Sequence, residues 1–569
     1  MSYFVNSLSE EDQEFEEIKN AAAEFYRANK VPEELEKALG ELFFSNPQDV
    51  HGYLANYFTN LSPQPLINRL NGREAYDSKG QPCAEAEIFC IICNKETRMA
   101  AAAISSHLGQ KESVLEWQTK SEERRHHVMS AVQWIAEPLN QMLKEQNPCN
   151  QLEVDQELSN FFAVRQQEEK EMRENEEQAS ISEQEVEVVA SPSEKKKDKK
   201  ADKKKKASDK PFIPAEPPEP ILPGCLAIGS VSLAVAKSAA KIKDTPLYKY
   251  IRALKNPEDE TGFHIPFCLV TILSCGKTSP GKLNLLEEVI LVHSTGLQLK
   301  EIVTMTTHLQ KEMMRIITMS SKAGVTQAIL SDRGVMPVNF DRPEQVLDLI
   351  NDACNNLELE LGTDMHLVLN CAGTDLMDYT KEKYEIATGS FKTPDELVTI
   401  YQTLINKYTA VVAIIDPFRK EDREQWEKLS TMIGDSCVLL SEATNKPQAP
   451  PLPGVTGLIL KHINEMTVSD LIRITSEQKG SILMGTASNE PCDDASLSDI
   501  AVGLGMDYVK LGGLCSAERM TKYNRLISIE EELAQQGILV SKEKHCLPLF
   551  HKLEEEEDEE EEKEEEETT

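Results

Sequence analysis

Residues 411–418 read VVAIIDPF. The apolar run Val411 to Ile415 meets no polar residue before Asp416, and Pro417 then stops the pattern. An unbroken run of this kind suits a strand buried on both faces, and it delivers a polar residue at its end. The pattern recurs. MHLVLN ends at Asn370, CVLLSE at Ser441 and Glu442, GLILK at Lys461 and SILMGT at Thr486, while DYVKLG carries Lys510. Helical patterns lie between most of these runs, over 395–408, 468–479 and 497–504. The later units repeat every roughly 20 to 25 residues, the length of one strand and one helix. The class expected is therefore α/β, and the architecture a (β/α)8 barrel over 256–546 whose strand carboxyl ends form the floor of a site. An open doubly wound sheet would need similar units, but no glycine-rich phosphate turn follows an early strand.

Outward from the barrel, the chain changes character several times. Residues 67–164 read as a small α+β unit, with EAEIFCIIC as a strand and 122–144 as a helix. From 222 the chain returns to folded composition, and LAIGSVSLAVAKSAAK reads as a buried small-residue helix. Between them, 165–221 is acidic, then lysine-rich, then rich in Pro and Glu, and is expected to be a disordered insert. Its lysine run can read as a nuclear signal, but neighbouring acidic stretches favour self-neutralisation. Residues 1–66 are expected to be helical and separate. One helix covers 10–29, and Pro32 starts a second with Leu35, Leu39, Leu42 and Phe43 on one face. Asn46-Pro47 reads as the cap of a third helix that aligns Val50, Leu54, Tyr57 and Phe58. Two copies could pair as a four-helix bundle, or the helices could pack as a hairpin on the main body.

The 569 residues carry a net charge of -35, and residues 547–569 form an acidic tail. That balance argues against nucleic acid as a general partner, and a solvated tail is the plain reading. The 13 cysteines lack disulfide-framework spacing. Cys90 and Cys93 form a CxxC inside an apolar run and lack the second pair a zinc site needs. No signal peptide or bilayer-length apolar run is present, so a cytoplasmic setting without membrane insertion is expected. Lys461 and Lys510 end buried runs, where an ammonium must be paired, lower its pKa or snorkel to the rim.

Several motifs together resemble the enolase family. YVKLGGLCSAERMTKYNRLISIEEEL (508–533) is similar to its closing segment, and YDSKGQP (76–82) to its early YDSRGNP turn. GCLAIGSVSLA (224–234) and PLYKYI (246–251) are similar to GANAILGVSLA and PLYKHL. VVAIIDPF is similar to the strand ending in EDPF, and LILKHINEMT to LLLKVNQIGT. The resemblance covers 67–545 apart from the insert. It implies a cap domain on a modified barrel and, in glycolysis, dehydration of 2-phosphoglycerate to phosphoenolpyruvate with a lysine base and two magnesium ions. The N-terminal helices, insert and tail lie outside the ordinary enolase and resemble a sperm-associated vertebrate branch, which implies the flagellum. Residues 33–58 resemble the dimerisation-and-docking modules of type II regulatory subunits of cAMP-dependent protein kinase. That likeness implies a dimer and an amphipathic anchoring helix as partner. A homodimer and a heterodimer with another enolase are both open.

Carried over position by position, Lys461 matches the base, Lys510 the substrate-binding lysine, and Glu287 one of two glutamates beside the leaving group. The second glutamate falls near Asp332, and the mobile-loop serine on Ser106 or Ser105. The three magnesium ligands fall on Asn370, Ile415 and Ser441. The family's substrate-side histidine falls on Thr278, and its His-Arg pair on Thr486 and Ala487. Magnesium wants anionic oxygen, so weak or absent binding is expected. Asp416 and Glu442 are adjacent to two failed positions. Strand alternation argues against rescue by a slip, and Glu442, where the strand gives way to a loop, is the easier rescuer. The readings left open are a weakly active enolase, a silent scaffold that dimerises and docks a helix, and a repurposed pocket.

Overall fold

The computed structural model describes residues 10–106, 117–188, 214, 221–257, 262–277, 279–320, 334–335, 337–434, 436–443, 452–461, 466–477, 481–486, 490–492 and 494–540. Asp332, Thr278, Ala487, the acidic tail and most of the expected insert lie outside the described residues. The chain divides into two units, residues 1–65 with 91–97, and residues 66–90 with 98–569.

In the first unit, α1 (Glu10–Ala28), α2 (Val31–Ser45) and α3 (Val50–Leu61) follow one another. Pro32 stands in the first turn of α2, where a missing N–H costs nothing. Asn46 does not cap α3. It closes α2 in the left-handed conformation at φ 41°, its N–H donating to the Leu42 carbonyl, and asparagine tolerates that region. Asp49 caps α3 instead, accepting the Gly52 N–H at 2.9 Å. Among the described side chains of these helices, Ala38 alone is buried, while Phe25, Leu39, Phe43, Phe44 and Leu61 are exposed.

The second unit opens with β1 (Ile67–Tyr76) and most of β2 (Pro82–Ile92) and β3 (Lys95–Ser105), a sheet in the order β1, β2, β3. The expected helix over 122–144 is present but not uniform. Trp117–Trp134 widens into a π-helical turn at Ile135–Leu139 around Pro138, then resumes as Asn140–Leu143. Proline lacks the N–H that the regular ladder requires, and the wider turn absorbs the defect. Helix Gln151–Val188 passes well beyond Arg165, so the first part of the expected disordered insert is helical. Pairs four residues apart, such as Gln167–Glu171 and Arg173–Glu169, lace the helix on more than one side, as solvated helices do. Helix Leu226–Ile242 is almost wholly buried, which its Ala, Ser and Gly content allows. Cys90 is buried in β2, and burial pushes its thiol up to about 11, whereas Cys93 is exposed.

The barrel is closed. Its strands are β4 (Phe267–Ser274), β5 (Glu288–His293), β6 (Met365–Asn370), β10 (Val411–Ile415), β11 (Val438–Ala443), β12 (Val455–Leu460), β13 (Ser481–Gly485) and β14 (Tyr508–Gly512). A small sheet of β7 (Met377–Asp378), β8 (Lys383–Ala387) and β9 (Ser390–Lys392) lies between β6 and β10 in the sequence. Pairing around the barrel is parallel except at β4–β5 and β5–β6, which are antiparallel. The regular β/α alternation therefore begins only after β5. Because β5 runs backwards, its first residue, Glu288, pairs with Ser274 and Asn370 at the carboxyl ends of its neighbours.

Two apolar layers hold the barrel. Inside, Ile290, Val368, Ala413, Ile415, Leu440 and Ile459 fill the lumen. Outside, Ile414 and Leu439 pack with Tyr401, Phe418 and Trp426 under the helices. The alternation along β10 and β11 thus sorts neighbouring residues to opposite faces. Gly457 sits where a Cβ would come within 2.8 Å of the Leu440 side chain, so β12 can approach β11 closely there.

Candidate active site

At the carboxyl ends of the strands the apolar interior gives way to charge. Lys510, on β14, is buried and reaches across the lumen. Its ammonium pairs with Glu288 on β5 and, at 2.8 Å, with Glu442 on β11. The other oxygen of Glu442 pairs with Lys461, just past β12. Glu288 also accepts the Thr271 hydroxyl at 2.8 Å and the Asn370 side-chain N–H at 2.6 Å. Burial alone would lower the pKa of Lys510, but the Glu288 and Glu442 carboxylates outweigh it and hold the ammonium charged well above its usual range. Burial would likewise raise Glu442, but Lys461 and Lys510 outweigh it and hold that carboxyl below the usual range.

Beside this network stands Asp416. It follows β10 in the left-handed conformation at φ 46°. Its carboxylate accepts the Ser441 hydroxyl at 2.8 Å and the Glu442 N–H at 3.2 Å. The Gly373 N–H donates to its carbonyl at 2.7 Å, and a Cβ at Gly373 would meet the Phe418 N at 2.7 Å, so the loops after β6 and β10 are pressed together. Burial first, and the Glu442 charge second, push the Asp416 carboxyl up to about 7.

The three positions matched to metal ligands are occupied as follows. Asn370 donates through Nδ2 to Glu288, and its Oδ1 accepts the Ala372 N–H at 3.3 Å. Ile415 is fully buried in the lumen core. Ser441 turns its hydroxyl toward Asp416. The alternation also reassigns the roles of 441 and 442. Leu440 pairs with Ile415 and faces the lumen, so Glu442 faces in and Ser441 faces away. The β11–β12 register shifts between Leu439 and Leu440. Glu442 is the penultimate residue of β11, near the end of the strand. Among the described residues no three of His, Cys, Asp and Glu come together as a metal-binding group.

Of the other sequence-derived residues, Glu287 is half-buried, its N–H donating to the Asn370 carbonyl at 2.8 Å. Ser105 ends β3 and Ser106 follows it, both buried. Thr486 follows β13. Its N–H donates to the Lys510 carbonyl at 2.9 Å, and its hydroxyl accepts from Arg519 at 2.9 Å. Sequence reasoning missed Glu288. The signal was in LNLLEEV, because one glutamate of an adjacent pair entering a strand must face the lumen.

This barrel has relatives. Residues 262–546 match the family model described as the enolase C-terminal TIM barrel domain. The protein named Enolase 4 of Danio rerio is 45% identical over 549 residues, which is 94% of this chain and 94% of that protein. The chain belongs to the enolase family. Enolase 4 of Homo sapiens is 41% identical over 583 residues, 95% of this chain and 92% of that protein. The Enolase of Bdellovibrio bacteriovorus is 28% identical over 328 residues, 56% of this chain and 74% of that one. The alignments with both Enolase 4 proteins take in nearly the whole chain, whereas the bacterial alignment takes in little more than half of it. Enolase membership implies magnesium by family. Among the described residues, no helix is long and apolar enough to cross a membrane.

Proposed function

We propose that this chain is an enolase-fold protein whose magnesium site has been dismantled, so that conversion of 2-phosphoglycerate to phosphoenolpyruvate is feeble or lost and the protein serves as an assembly part. The observation that carries this reading is the chemistry of the three strand-end positions. Ile415 offers no oxygen, Ser441 turns a neutral hydroxyl away, and Asn370 spends its amide on Glu288 and on the Ala372 N–H. Magnesium requires several anionic oxygens in near-octahedral array, and this donor set does not fit it. Glu442 and Glu288 do face the lumen, but they are already joined to ammonium groups.

A second reading, an altered but working enolase, is favoured by Lys461, just past β12, and Lys510, on β14, meeting on one carboxylate. Phosphoenolpyruvate formation by the purified full chain separates the two. Losing one electrostatic stabiliser costs about 10²–10³ in rate, and several lost together place this protein at least about 10³ below ordinary members. Lys461→Ala is then expected to change little. Turnover at ordinary enolase rates, abolished by Lys461→Ala, would make the second reading correct.

The assembly role rests on α1–α3. A segment that exposes Phe25, Leu39, Phe43, Phe44 and Leu61 while burying only Ala38 among its described side chains lacks a core of its own. Pairing with a second copy supplies one, and the resulting bundle would present a groove to an amphipathic anchoring helix. Residues 1–66 are accordingly expected to sediment as a dimer. A monomer at millimolar concentration would remove the docking role. The sperm flagellum, implied by resemblance, is the setting we assign to this assembly, and immunolocalisation on isolated flagella checks it.

A further inference from the structure

The charge network at the top of the barrel has a second meaning, which rests on the reading that the metal is absent. Enolase resemblance implies three carboxylates at strand ends gathered around a dication. Here two of the three replacements are neutral polar residues and one is alkyl, yet the lumen still holds carboxylates, from other positions. Glu288 is only 3% exposed and Glu442 16% exposed, and Lys510, 6% exposed, stands between them. Glu288 comes from β5 and Glu442 from β11, with β6 and β10 separating them around the barrel on one side. Lys510 comes from β14, with β4 separating it from β5. One ammonium therefore ties together strands that do not pair with one another.

We infer that Lys510 is this barrel's built-in cation, its ammonium bridging Glu288 and Glu442 across the lumen and making the fold independent of divalent metal. The remaining contacts fit that role. Thr271 and Asn370 donate to Glu288 from the strands on either side of it, as neutral donors orient a ligating carboxylate. Lys461 takes the second oxygen of Glu442, so two ammonium groups meet two carboxylates and the formal charge of this group closes to zero. Beneath it, Ile415 and Leu440 pack the layer with alkyl groups. A dication placed beside Lys510 would have to displace the ammonium from both carboxylates, and the two cations would repel each other.

The test uses the full chain, with Mg²⁺ and Mn²⁺ as probes. Wild type is expected to melt within about 1 °C of the same temperature in EDTA and in excess MgCl2, because a ligand that does not bind the native state cannot stabilise it. It is also expected to show no stoichiometric Mn²⁺ uptake by electron paramagnetic resonance. Lys510→Ala removes the ammonium and leaves Glu288 and Glu442 facing an open space. This variant is expected to melt lower in EDTA, to recover in MnCl2 and to bind about one Mn²⁺. Stoichiometric Mn²⁺ uptake by wild type would overturn both this inference and the dismantled-site reading. A metal-indifferent wild type together with a folded Lys510→Ala that melts normally and takes up no Mn²⁺ would overturn the inference alone. Should Lys510→Ala fail to fold, the triple variant Lys510→Ala/Glu288→Gln/Glu442→Gln decides. Recovery of the fold shows that the carboxylates are what the ammonium holds, and failure of the triple variant overturns the inference.

Discussion

Glu288→Ala is expected to destabilise the protein by about 3 kcal/mol, because breaking a buried ion pair from one side leaves the other charge without compensation. The charge left is Lys510, whose side chain is only 6% exposed and cannot turn to water. Glu442 would remain its partner, but Glu442 already serves Lys461, so two ammonium groups would share one carboxylate. Asn370 and Thr271 would lose an acceptor as well. A urea or thermal unfolding series measures the loss. The double variant Glu288→Leu/Lys510→Met is expected to regain most of it, since well-packed apolar groups can replace a buried pair at little cost. A Glu288→Ala protein within about 0.5 kcal/mol of wild type would show that the network does not hold the barrel, for that is the range of ordinary surface substitutions.

Asp416→Asn is expected to act in the opposite direction and stabilise the protein, by about 2 kcal/mol at pH 8. In the unfolded chain the carboxyl ionises near pH 4. In the fold, burial and the Glu442 charge push it up to about 7. Below pH 4 both states hold the proton and Asp416 is neutral in its effect. From pH 4 to 7 the unfolded state loses its proton first, so the residue increasingly favours unfolding. Above pH 7 the full penalty applies. Three pH units correspond to about 4 kcal/mol, and partial exposure together with sharing of the charge with Glu442 halves that. Asparagine keeps an oxygen for the Ser441 hydroxyl and the Glu442 N–H, and it tolerates the φ of 46°. The gain should vanish at pH 4. Equal gains at pH 4 and pH 8 would mean that the carboxyl is not the cause.

These effects locate where the sequence was sufficient. Runs such as VVAIIDPF and MHLVLN are apolar throughout because a barrel strand is covered on both faces, and this made the closed sheet legible without coordinates. The motif resemblance supplied the positions 370, 415 and 441, and Ile415 proved to be a lumen residue. Local signals were weaker where two residues competed for one task. Asn46 and Asp49 both suit a helix cap, and the Pro that follows Asn46 favoured the wrong one. The acidic composition after Arg165 argued for disorder, yet it also suits a solvated helix laced by pairs three and four residues apart.

The sequence by itself determined the family and the barrel, because these follow from residue identity and from short-range periodicity. It could not determine which of two adjacent polar residues enters the lumen. That depends on the phase of β11 against its neighbours: Leu440 pairs with Ile415 and faces the lumen, so alternation sends Glu442 inward while Ser441 turns to Asp416. Nor could it determine that Lys510 meets Glu288, a residue 222 positions away in the chain and brought near only by barrel closure. Charges so distant in sequence carry no mutual periodicity, and only the closed lumen, with little water to screen them, makes them one group.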